Sequence, residues 1–165
     1  MGQQEIRRAP GWVSISMRIL NSTRHSVNTA LSEAVARYPT DDLTVEIKYC
    51  RAGTKRYISG TYYRKTRGYD DGKLIRLRIN RANKYPLEVP FKTSEYYTKR
   101  DRFGNEIIYQ KFRNVRFDTA EDLILAIFLH EFSHYLDHIE GRNGRYKQTK
   151  ADKFALSILE ALHII

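Results

Sequence analysis
Between residues 118 and 139 the apolar positions Leu123, Ile124, Ile127, Phe128, Phe132, Leu136 and Ile139 recur at helical spacing, on one stripe of a 3.6-residue period. Asp118 reads as the N-cap, Glu121 as the side chain reaching back to it, and Gly141 as the stop. Ala151, Phe154, Ala155, Ile158, Leu159 and Leu162 form a second stripe, predicting an amphipathic helix from about Gln148 to His163. The short loop from Gly141 to Tyr146 favours antiparallel packing of the two. Upstream the period falls to two. Val13, Ile15, Met17 and Ile19 alternate with polar residues, as do Leu43, Val45, Ile47 and Tyr49, so both stretches predict half-buried strands.

Asn21-Ser22-Thr23 offers caps for a helix to about Arg37, closed by Tyr38-Pro39. Arg51–Thr54 turns the chain into a strand near Arg56–Arg64, and the turn Arg67–Gly72 leads into Leu74–Asn80. Residues 81–95 hold Pro86 and Pro90 and read as loop, while 96–100 and 107–112 flank Asp101–Asn105 as a hairpin. The order predicts an α+β architecture: an N-terminal helix, a small, mostly antiparallel twisted sheet, and two C-terminal helices. A single domain spans 1–165, with residues 1–10 as a polar tail.

Residues 130–134 of the first C-terminal helix read His-Glu-Phe-Ser-His. At i and i+4, His130 and His134 share one helix face and can aim two neutral nitrogens at one ion, with Glu131 beside them to take a proton from metal-bound water. The plain alternative is a polar pair on an amphipathic helix. A catalytic zinc site also needs a third protein ligand. Asp152 is the carboxylate at the start of the second helix, and its alternative role is that of an N-terminal helix acid. His138 lies two turns from His130, about 12 Å along a helix, too far to share an ion.

His-Glu-Phe-Ser-His-Tyr-Leu-Asp137, followed by Ala-Asp152-Lys-Phe-Ala155, resembles the two-helix motif of gluzincin-like zincin metallopeptidases, in particular the anthrax lethal factor catalytic domain group. The resemblance covers roughly residues 118–160. It implies a minimal zincin-like domain, zinc as cofactor, a protein or peptide substrate, and a third ligand at Asp152. A rival alignment, on the E-x-x-A-D pattern of prenyl-protease-like and immunity-repressor peptidases, maps that ligand onto Gln148, which is neutral here. The resemblance further implies a phenol at Tyr146 facing the developing oxyanion, and an edge strand beside the cleft that aligns an extended peptide. The 96–112 hairpin, or the strand before it, is the expected edge. Asp137 is expected to orient a histidine or to cap the helix end.

Composition widens the picture in one respect. The 165 residues carry a net charge of +10, and 43–116 alone holds 19 Lys/Arg against 7 Asp/Glu, a net of +12. A basic, tyrosine-rich strand region can grip phosphate backbones and stack bases, or form a solvated face. The expected substrates therefore include nucleic-acid-associated proteins, by analogy of role with the SprT/Spartan proteases. The other reading is a catalytically degenerate zincin scaffold acting as a nucleic-acid- or protein-binding module. Cys50 stands alone, so no internal disulfide forms, and no apolar run reaches 18 residues, which predicts a soluble, cytoplasmic chain.

Overall fold
A computed structural model describes residues 17–65, 73–142 and 147–165. The polar tail, Val13 and Ile15, the Arg67–Gly72 turn and Tyr146 lie outside the described residues. The described elements are three helices and two sheets, an α+β arrangement.

Strands β1 (Arg18–Asn21), β2 (Thr44–Tyr49), β3 (Ile58–Tyr63) and β4 (Leu74–Ile79) form one sheet in the order β1-β2-β4-β3. The expected mostly antiparallel sheet is corrected here: β1 pairs parallel with β2, β2 parallel with β4, and only β3 with β4 is antiparallel. Helix α1 (Asn28–Ala34) makes the crossover that lets β1 and β2 run the same way. The chain then passes to the edge as β3, and the return strand β4 inserts between β3 and β2. Helix α1 is shorter than predicted. Asn21 and Thr23 spend their side chains on one another and on the turn at His25, and the helix starts without a side-chain cap.

The predicted loop at 81–95 is also corrected. Strand β5 (Leu87–Arg100) begins inside it and pairs with β6 (Glu106–Phe117) as a long two-stranded ribbon, its register shifted between Lys92 and Tyr96. Each strand of such a ribbon keeps a free edge, so Pro90 is accommodated without its N–H. The ribbon projects, leaving Tyr96, Phe103, Ile108 and Phe112 exposed.

Helix α2 (Ala120–Ile139) starts one residue later than Asp118 implies. Thr119 is the N-cap and accepts from the Asp122 N–H at 3.1 Å, while Asp118 pairs with Arg116 at 2.9 Å. Its end matches the Gly141 stop. Gly141 has φ +68°, and the Arg142 and Gly141 N–H groups reach the Asp137 and His138 carbonyls at 2.7 and 3.0 Å, a Schellman closure. Helix α3 (Gln148–Ala161) packs on α2. Phe128, Leu129 and Phe132 of α2 enter one buried cluster with Ile47, Ile75 and Leu77 from the sheet and Ala155 and Leu159 from α3. Among the described residues no helix is long and apolar enough to cross a membrane.

Candidate active site
His130 and His134 fall in the middle of α2, where flanking turns hold them, and their ring centroids lie 5.1 Å apart. The His130 Nδ1–H donates to Asp152 Oδ1 at 2.6 Å, and the Lys92 backbone N–H donates to Asp152 Oδ2 at 2.7 Å. Both oxygens of Asp152 are therefore engaged away from the face where the two Nε2 atoms point. That face belongs to Gln148: its Oε1 lies 2.7 Å from His130 Nε2, and its Nε2 lies 3.4 Å from His134 Nε2. Asp152 stands behind His130 and Gln148 in front of it. Among the described residues, no three His, Cys, Asp or Glu side chains are grouped to hold a metal ion.

Glu131 is 8% exposed and borders an open cleft of about 360 Å³ lined by Gly60, Thr61, Tyr62, Arg64, His134 and Gln148. Burial pushes its carboxyl above the ordinary range, although the His130 charge and the Tyr62 N–H pull the other way. For His130, burial alone would depress the imidazole, but the Asp152 hydrogen bond and the Glu131 charge prevail and raise it. His134 is held below its usual value by burial and by the His130 charge. The pair is thus electrostatically unequal, with a basic, desolvated carboxylate beside it.

The edge beside this cleft is β3, not the 96–112 hairpin or β4. The hairpin forms its own sheet, and β4 is enclosed between β2 and β3. Strand β3 comes so close to α2 that a Cβ on Gly60 would sit 2.7 Å from Ile127 Cγ2 and 2.9 Å from Glu131 Oε1. The sequence singles out no role for Gly60, and Tyr62 only as one tyrosine of the basic strand region. The available signal was a glycine interrupting the apolar and aromatic positions of a strand, which often marks a close backbone approach.

Two expected residues stand elsewhere. Asp137, 1% exposed, meets no histidine; it takes Arg142 Nε at 2.8 Å and the Lys150 ammonium, tying the end of α2 to the start of α3. His138 Nδ1 is 2.6 Å from the Tyr62 hydroxyl, a contact that turns this phenol away from a free role in the cleft. The orienting part expected of Asp137 is taken by Asp152. No family model, curated protein or solved structure matches the chain.

Proposed function
We propose that the chain is a zinc-dependent metallopeptidase whose ion is held by His130, His134 and the Gln148 carboxamide, with Glu131 as general base. The Asp152–His130 hydrogen bond carries this reading. A carboxylate on Nδ1 fixes the tautomer that leaves Nε2 as the donor, the arrangement that orients metal-binding imidazoles. The donors fit a divalent ion, since two imidazole nitrogens and one carbonyl oxygen converge where the Gln148 amide spans the Nε2 pair. None of the three is anionic, so binding is weaker than a carboxylate in place of Gln148 would give. The bound ion would acidify a water and polarise the substrate carbonyl.

Glu131 accepts the proton of that water and returns it to the departing amine. Its raised basicity suits the task, and the Tyr62 N–H holds it at the cleft wall. Among the described residues strand β3 is paired on one side only, and its other side can align an extended peptide by strand addition. Asp152 orients His130 and anchors α3 to β5 through the Lys92 N–H.

The test is zinc content per chain, together with cleavage of an unstructured protein such as casein. Cleavage should vanish with a chelator and in Glu131→Gln at unchanged fold. Persistent cleavage in Glu131→Gln overturns the mechanism, and failure to take up zinc overturns the reading. One observation favours a second reading, a degenerate zincin scaffold that binds without cutting: the third donor is an amide rather than an acid.

A further inference from the structure
A concave site that the cleft does not use lies across β3, where Lys48, Arg51, Arg56 and Arg78 surround a cavity of about 480 Å³ with Ser59 in its wall. Lys48 is paired with Glu46, while among the described residues no acidic side chain lines the cavity and Arg51, Arg56 and Arg78 have no ion-pair partner. Tyr49 forms a wall shared with a second cavity of about 350 Å³ that holds Arg24 and Arg81. The Arg81 guanidinium lies 4.2 Å from the centre of the Tyr49 ring, which presents it at the junction already ordered. Glu121, the acid of this second cavity, is paired with His25 at 3.0 Å. Meeting at the Tyr49 wall, the two arginine-lined cavities form a trough.

From this trough we infer a nucleic-acid binding site: its guanidinium groups take successive phosphates of a single strand, and the Tyr49 ring in the shared wall offers an aromatic surface for a base. Guanidinium forks match phosphate oxygens in pairs, and unpaired arginines gathered around a concavity otherwise repel one another. A tyrosine ring in the wall between the cations separates this chemistry from that of a simple anion hole. Alternation along β3 adds a consequence. Ser59 faces the trough while Gly60 and Tyr62 border the cleft, so a bound strand runs on the opposite face of the strand that flanks Glu131. Proteins carried on the same nucleic acid then become the substrate class, an extension that rests on the peptidase reading; the binding site does not.

The experiment is fluorescence anisotropy with a labelled 20-nucleotide single strand, DNA or RNA, between 50 and 200 mM salt. Wild type is compared with R51A/R56A/R78A and with a charge-matched control on the ribbon, K99A/R100A/R102A, each checked for fold by thermal melting. Losing three phosphate contacts should weaken binding roughly tenfold or more and lower the salt slope by about 2. The control should bind as wild type does. Equal loss in both variants, loss in the control alone, or no binding by wild type overturns the site. Tighter binding to phosphatidylserine vesicles than to the strand assigns the trough to a lipid surface and overturns it as well. Cleavage of a nucleic-acid-bound protein should rise on adding the strand for wild type and not for the trough variant. Absence of that rise in a protein that binds the strand removes the substrate extension alone.

Discussion

Replacing Gly60 with alanine tests how closely β3 is pressed on the helix that carries the histidine pair. The new methyl carbon would lie 2.7 Å from Ile127 Cγ2, 2.8 Å from Glu131 Cγ and 2.9 Å from Glu131 Oε1, against about 3.5–4.0 Å for relaxed contacts. Neither neighbour yields freely. Ile127 is β-branched and confined to one rotamer on a helix, and the Glu131 carboxylate is held by the Tyr62 N–H. Overpacking of this kind costs about 1–3 kcal/mol, while the smaller entropy of an unfolded chain with alanine returns about 0.4–1 kcal/mol. The clash wins. At about 2–4 °C per kcal/mol for a chain of this size, Tm should fall by a few degrees. Activity should fall further than stability does, because a shift of Glu131 of about 1 Å misplaces the base and costs roughly 100-fold in kcat. Thermal melting and casein cleavage well below Tm read the two effects separately, with Thr98→Ala on the exposed end of the ribbon as a control that should change neither. Unchanged Tm and unchanged cleavage in Gly60→Ala would refute the close approach and the placement of Glu131.

Gln148→Glu should tighten zinc binding by at least tenfold in a competition titration with a chelating dye, because a charged oxygen replaces a neutral one at 2.7 Å from His130 Nε2; equal or weaker affinity would remove Gln148 from the donor set. Without metal the same variant places a further carboxylate near Glu131 and Asp152, so its Tm should drop and recover on adding zinc. Asp152→Asn leaves one acceptor oxygen for two donors, the His130 Nδ1–H and the Lys92 N–H; it should cost about 1–3 kcal/mol in urea unfolding and weaken metal binding about 10–100-fold. Unaltered affinity in Asp152→Asn would show that His130 needs no orienting partner. Asp137 is buried, yet Lys150 and Arg142 hold its carboxyl below the usual range, so its stabilisation is present above the unfolded value of about 4 and is lost as pH falls through the folded one. Asp137→Asn should therefore flatten the acid limb of Tm against pH below about 4, and an identical limb in both proteins would place the acid sensitivity elsewhere.

Local pattern was enough for the two C-terminal helices. Their apolar stripes, the Gly141 stop and the i, i+4 spacing of His130 and His134 all depend on contacts within a turn or two, where sequence separation and spatial separation agree. The same locality explains the one-residue error at Asp118: Asp118 and Thr119 are both good caps, and only the backbone geometry of the entering strand selects Thr119. Strand pairing is different. Alternation shows which faces of β2 and β4 are apolar, but not that β4 inserts between β2 and β3, because pairing partners are chosen across long stretches of chain. The hairpin around Asp101–Asn105 is legible in the sequence, but the extension of β5 back to Leu87 is not: two prolines and an exposed, mixed face hide a strand that pairing nonetheless supports.

The helix carrying the histidines, the shared face of its pair and the carboxylate beside them are properties of the sequence by itself. Gln148 and Asp152 are one turn apart on α3, so spacing permits either to reach His130, and sequence cannot separate them. Tertiary structure places them on opposite sides of the His130 ring. The Lys92 N–H draws Asp152 towards β5 and behind the ring, the Asp137 ion pairs set where α3 begins, and Gln148 is left against the outward nitrogens. Only folding brings Gly60 against Glu131, since 71 residues of chain separate them and the contact exists through the docking of a helix on a sheet edge.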